Sequence, residues 1–150
     1  MRDPFLRTVG CLLGLLLAAA SCSTLRSDAG CDLADESFFA VKTWRALDSW
    51  LRRYGACDDG YLAEGVSDFV ARTLAESWHT LPQLQRQITA HPDFRRFVLR
   101  HIDATADWVD LDTIVVNATE HCPDGFRALC EAMATRAREK SAESKAVAGQ

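Results

Sequence analysis

The stretch Ala40-Val41-Lys42-Thr43-Trp44-Arg45-Ala46-Leu47-Asp48-Ser49-Trp50-Leu51-Arg52-Arg53-Tyr54-Gly55 decides the fold class. Its members Ala40, Trp44, Leu47, Leu51 and Tyr54 recur at i, i+4, i+7, i+11 and i+14, which places them on one stripe of an α-helix. A half-buried strand would instead alternate apolar and polar residues one by one. The spacing predicts a helix from about Asp35 to Tyr54, with Gly55 as its left-handed cap.

The same periodicity continues outward from this stretch. Asp58 or Asp59 can cap a second helix whose inner face carries Leu62, Val66, Phe69, Val70, Leu74 and Trp78. Thr80-Leu81-Pro82-Gln83 has the spacing of a capping box and opens a short third helix along Leu84 and Ile88. His91-Pro92 ends that helix and starts a fourth, since proline at a first helical position gives up an N–H that would be unpaired anyway. Phe94, Phe97, Val98, His101 and Ile102 form its stripe. A fifth helix, capped from the Asp103 to Asp110 region, turns Leu111, Ile114, Val115 and Ala118 inward. After Pro123-Asp124-Gly125, a sixth presents Phe126, Leu129, Cys130, Met133 and Ala137.

No segment sustains period-2 alternation, and Ile114-Val115-Val116 is too short to outweigh the helical stripe around it. The expected fold is all-α: a small antiparallel bundle or stacked helical hairpins of about six helices, stapled by two disulfides.

The N-terminus carries a different signal. Arg2 and Arg7 precede Thr8 to Ala20, an uncharged and mostly apolar run of thirteen residues, the length of the hydrophobic region of an export signal. A membrane-spanning helix needs about 20 apolar residues, and Arg26 and Asp28 follow too soon to allow it. The run ends in Ala19-Ala20-Ser21-Cys22, which resembles the signal of bacterial lipoproteins, with Ala19 standing where that class usually has Leu. The resemblance implies that Cys22 becomes the lipidated, palmitate-bearing N-terminus. Ser23 follows it in place of the Asp associated with inner-membrane retention. In a Gram-negative host that implies an outer-membrane anchor facing the periplasm, and several acyl chains make such an anchor effectively permanent. The alternative cut, after Ala20, would release a soluble periplasmic or secreted chain starting at Ser21. It would leave five cysteines, whereas lipidation of Cys22 leaves Cys31, Cys57, Cys122 and Cys130, an even set fit for two bridges. Four cysteines allow three pairings. Cys122 with Cys130 would lock the last interhelical corner, and Cys31 with Cys57 would pin the ends of the first helical region.

The chain therefore divides into a signal peptide (1–21), a lipidated N-terminus and polar tether (22–35), a helical domain (36–137) and a polar tail (138–150). Removing Arg2, Arg7 and Asp3 from the 17 basic and 21 acidic side chains leaves 15 and 20 in the mature chain. That net of −5 argues against nucleic acid as a partner, because such binding rests on dense Lys and Arg contacts to phosphate.

Chemistry-bearing patterns are sparse. His101, His121, Cys57, Cys122 and Cys130 contain no Cys-x-x-Cys and no His-Glu-x-x-His, so no metal site and no cofactor is expected. Asp103, Asp107, Asp110 and Asp112 lack the glycine and terminal Glu of a calcium loop and read as helix caps. No catalytic residues are assigned. The hydrolase alternative would use Glu64, Asp68 or Asp59 with His101 and requires a carboxylate within hydrogen-bond reach of that histidine. A second alternative, a small-ligand or lipid carrier, requires an apolar cavity between helices. Trp50 is expected at a helix edge and Trp108 in the acidic loop; with the Asp58-Asp59 corner they are the candidate interaction residues, since exposed Trp often anchors interfaces.

The body also resembles small exported helical proteins of proteobacteria that have no assigned activity. The matching segments are Cys57-Asp58-Asp59-Gly60, Phe97 to Asp103, and the corner Cys122-Pro123-Asp124-Gly125 with Leu129-Cys130. The resemblance implies disulfides and adds no site. The expected function is a lipid-anchored, periplasm-facing module that binds another envelope protein, of the assembly or immunity/inhibitor type.

Overall fold

In a computed structural model that describes residues 28–149, the chain is all-α, with seven helices and no strand among those residues. The export signal, Cys22 and the first part of the expected tether lie outside them. The helices are α1 (Asp28–Phe38), α2 (Trp44–Tyr54), α3 (Gly60–Glu76), α4 (Leu81–Ala90), α5 (Pro92–Arg100), α6 (Trp108–Glu120) and α7 (Arg127–Ala148). Short 3-10 turns, Gly55–Cys57 and Trp78–Thr80, lead out of α2 and into α4. The hairpin of α6 and α7 is the most extensive pairing, and α3 packs on α6. The α2, α4 and α5 helices form the other side of a core built on Trp44, Leu47, Val66, Val70, Leu84, Phe94, Val98, Ile114 and Met133.

The helix expected over 35–54 is in fact two. Thr43 adopts extended backbone angles, and its Oγ1 accepts a hydrogen bond from Ala46 N–H at 3.2 Å, so α2 starts afresh at Trp44. The break turns α1 back over α2. Phe38 then sits edge-on to Trp50 and Phe69. Its ring also lies 3.5 Å from the place where a Cβ on Gly65 would stand, so α3 accepts it closely because residue 65 has no side chain.

The expected tether is likewise shorter than read, because helix begins at Asp28. Ala34 is fully buried there, and its carbonyl accepts a hydrogen bond from Trp50 Nε1 at 3.0 Å. Gly55 is not a left-handed cap. Its φ is −59°, and it continues the chain into a 3-10 turn where a Cβ would come within 2.9 Å of Leu51 Cδ1.

Two further local expectations change. Thr80 makes no capping-box bond. Its hydroxyl instead accepts from Trp44 Nε1 at 2.9 Å and donates to the Ser77 carbonyl at 2.7 Å, so a long-range core contact outcompetes the local cap. The expected polar tail is the second half of α7, held to α6 by Ser141 Oγ donating to Asp112 Oδ1 at 2.6 Å and by Lys145 Nζ on Asp112 Oδ2 at 2.7 Å. The α6–α7 corner turns at Gly125, whose φ of 83° a side chain would resist.

Two disulfides staple the fold, Cys31–Cys57 and Cys122–Cys130, with Cα separations of 5.4 and 6.1 Å. The first joins α1 to the turn after α2. The return of α1 across α2 brings together two cysteines that a continuous helix would have held a helix length apart.

Candidate functional site

The densest polar construction in the described residues lies where α3, the corner after α2 and the loop after α5 meet. On α3, Ala63, Ser67, Ala71 and Leu74 run along one inward stripe, which carries the Ser67 hydroxyl into the core at 1 % exposure. His101 ends α5 and is 3 % exposed. Its Nδ1 is 2.9 Å from Ser67 Oγ and its Nε2 is 3.1 Å from Asp58 Oδ2. Ser67 Oγ is also 2.8 Å from Asp103 Oδ2 and 3.0 Å from the Ala63 carbonyl. Asp103 Oδ1 accepts from the backbone N–H and the hydroxyl of Thr105, which shapes the loop.

Asp58 is the charged end of this chain of contacts. Its Oδ2 takes the Arg100 guanidinium as well as His101, while Oδ1 is buried without a hydrogen-bond partner. Burial pushes the Asp58 carboxyl up, but the hydrogen bond and charge of His101 and the charge of Arg100 outweigh it and hold the group below the usual carboxylate range. Phe97 packs on His101 with ring centroids 4.5 Å apart.

Ser67, His101 and Asp58 are the residue types of a nucleophilic triad, yet the arrangement is sealed. The Ser67 hydroxyl faces two acceptors, Asp103 and the Ala63 carbonyl, besides the imidazole. Neither of two surface clefts is lined by Ser67, His101, Asp58 or Asp103. One, of about 470 Å³, lies over Cys122–Cys130 beside Asp124, Arg127 and Arg138. The other, of about 740 Å³, runs between α5 and α7 past Arg96, Arg100, Arg136 and Glu139. What the arrangement does is tie three segments together.

A smaller cluster lies at the α2–α5 junction. Asp48 is 1 % exposed, and His91 Nδ1 comes within 2.9 Å of its Oδ2 without aligning as a hydrogen bond. Arg52 reaches toward both, at 3.6 Å from Asp48 and 3.1 Å from His91 Nε2.

The residues singled out in the sequence are distributed as follows. Trp50 is not at an edge. It is 4 % exposed, because α1 covers it. Asp58 is likewise no surface feature, being consumed by the buried ion pair. Asp59 is exposed and caps α3 through Oδ1, 2.8 Å from Gly60 N. Trp108 is 41 % exposed, with Lys145 Nζ 5.0 Å from its ring centre. Along the outer side of α6, Val109 and Val116 are also exposed, one above the other at i and i+7.

Glu64 and Asp68 are exposed, and Asp68 pairs with Arg72. His101 binds Asp58 and Ser67, not Glu64, Asp68 or Asp59 as the hydrolase alternative supposed. The four cysteines downstream of Cys22 are all in disulfides, and among the described residues no three His, Cys, Asp or Glu side chains converge as a metal site. The four aspartates 103–112 face different partners. Asp107 caps α6, and Asp110 is pushed above the carboxylate range by burial and by the charges of Asp107 and Glu76. Ser67 escaped sequence reading although its spacing to Ala71 and Leu74 marks an inward face, the one signal that pointed to it.

No helix among the described residues is long and apolar enough to cross a membrane. Compared with models of protein families, with curated proteins and with solved structures, the chain has no match.

Proposed function

We propose that this protein is exported, carried on a lipid attached to Cys22, and serves as a protein-binding module of the cell envelope facing the periplasm. The observation that carries the reading is the pairing of cysteines. Cys31, Cys57, Cys122 and Cys130 close two bridges within the folded body, which suits an oxidising compartment. Of the six cysteines, Cys11 lies in the apolar run and Cys22 follows the small residues at its end, with no downstream thiol left to pair with. Lipidation of Cys22 uses that remaining thiol. The binding face we assign is the outer side of α6, where Trp108, Val109 and Val116 expose apolar surface beside Asp107 and Asp110. Exposed Trp and aliphatic side chains on a rigid helix lose little conformational entropy on docking.

Intact mass and membrane fractionation of the wild type beside Cys22→Ala, in a bacterium that processes lipoproteins, test the anchor. The expected result is a triacyl increment on a chain starting at Cys22, lost with membrane association in the variant. A chain starting at Ser21 and free in the periplasm would overturn it. Crosslinking from position 113 on α6, with and without Val116→Glu, tests the face: a discrete adduct that the substitution removes is expected.

A further inference from the structure

We infer that the Ser67–His101–Asp58–Asp103 cluster holds one more proton than neutral histidine and ionised aspartates would bring, and that this proton is a pH-sensitive latch between α3, the corner 55–59 and the loop 101–107. The inference goes beyond the binding reading and does not depend on it.

The contacts in the cluster outnumber the hydrogens that neutral histidine and serine bring. Three contacts run through the cluster: His101 Nε2 to Asp58, His101 Nδ1 to Ser67 Oγ, and Ser67 Oγ to Asp103 Oδ2, at 3.1, 2.9 and 2.8 Å. Each joins two electronegative atoms at hydrogen-bond distance, so each needs one hydrogen between them, and around Ser67 and His101, 1 % and 3 % exposed, little water can stand in. The serine hydroxyl supplies one and a neutral imidazole supplies one. The third must ride on the imidazole, as a doubly protonated ring, or on the Asp103 carboxyl. The Ala63 carbonyl, 3.0 Å from Ser67 Oγ, only accepts and so deepens the shortage. Asp58 is not the carrier, because Arg100 and His101 both hold it ionised.

Four segments present groups to His101. From the corner comes the Asp58 carboxylate, from its own helix the Arg100 guanidinium and the Phe97 ring, from the following loop Asp103 through Ser67, and from α3 the Ser67 hydroxyl. Two carboxylates, one arginine and one imidazolium sum to zero, so the protonated cluster, buried at Ser67, His101 and the Asp58 carboxyl and open to water at Arg100, carries no net charge. Losing the proton leaves net negative charge and one contact with two lone pairs opposed, which costs free energy in a low-dielectric site. The elements the latch joins are the disulfide-bearing turn, which ends at Cys57 next to Asp58, and the loop that α7 holds through Arg136 Nε on the Ile102 carbonyl at 3.1 Å. Deprotonation therefore loosens the 101–107 loop, which leads directly into Trp108.

The latch proton is bound in the folded chain and released on unfolding. Stability therefore falls with rising pH over the interval in which only the folded state is protonated, the unfolding constant growing about tenfold per pH unit for one proton.

The test is urea unfolding of the full chain, with disulfides intact and in a mild detergent, from pH 4 to 9 for wild type, His101→Gln and Asp103→Asn. His79, His91 and His121 are present in all three proteins, so the readout is the difference in slope from wild type. Gln cannot carry the proton, and Asn offers Ser67 a permanent N–H donor. The expected result is that at least one variant loses up to a tenfold-per-unit dependence that the wild type has. Imidazole 15N shifts of the folded wild type provide a readout independent of variant folding. A ring with both nitrogens protonated places the proton on His101. A neutral ring with slope loss in Asp103→Asn places it on Asp103. Equal slopes in all three proteins together with a neutral His101 ring would overturn the latch.

Discussion

Asp58 shows how one side chain acquires its role from surroundings that are remote in sequence. It neighbours Cys57 and the capping Asp59, and nothing local distinguishes the two aspartates. Asp59 faces solvent and caps α3, while Asp58 turns inward to His101 and Arg100, 43 and 42 residues away. Removing the Asp58 charge leaves a buried histidine facing a neutral group, so Asp58→Asn is expected to lower stability by about 3 kcal/mol, measured by urea unfolding at pH 7. Because its carboxyl titrates below the normal range, Asp58 contributes stability that is present above about pH 3.9 and is lost as pH falls through its folded-state value. The Asn variant should show a correspondingly shallower acid transition by circular dichroism. Asp110 has the opposite sign: its carboxyl is raised, so ionising it opposes folding, and Asp110→Asn is expected to raise Tm by about 1–2 °C at pH 7. A fall in Tm would show that its charge serves the α6 N-terminus more than it suffers from Asp107 and Glu76.

At the scale of elements, the stripe along α2 was legible but its length was not. Ala40 and Trp44 are spaced as one helix would space them, yet Thr43 separates them because its hydroxyl reaches Ala46 N–H in a geometry that helical backbone forbids. A β-branched hydroxyl residue inside an apolar periodicity is ambiguous until the turn around it has somewhere to go, and here it goes into the Phe38 contact with Gly65 and Trp50. The C-terminal half of α7 misled for the complementary reason. Its Ala, Lys, Glu and Ser composition reads as a fraying end, but Ser141 is buried and Asp112 lies on the neighbouring helix to receive it and Lys145. A chain ending at Ala137 should therefore lose about 1–3 kcal/mol, seen as an earlier urea midpoint; an unchanged midpoint would return 138–150 to the status of a tail.

At the scale of the molecule, the two disulfides do different work. Cys122–Cys130 spans 8 positions within one corner, whereas Cys31–Cys57 spans 26 and fastens α1 to the rest. By loop entropy the first contributes about 2.5 kcal/mol and the second about 3.5. Paired Cys→Ser replacement should therefore shift the urea midpoint more at 31 and 57. Hydrogen exchange should rise throughout α1 there, and the Trp50 indole N–H, which bonds the Ala34 carbonyl, should lose its protection. Uniform exchange in α1 across both variants would show that apolar packing alone holds it.

The sequence by itself determined the helical class and most of the inward positions, because periodicity is a property of neighbours along the chain. The direction of α1, the pairing of cysteines, the burial of Trp50 and the meeting of Ser67, His101, Asp58 and Asp103 were decided only in the tertiary structure. Each depends on which surfaces close over which. A hydroxyl or carboxylate reads as solvated until another helix removes its water and supplies the partner that takes water's place.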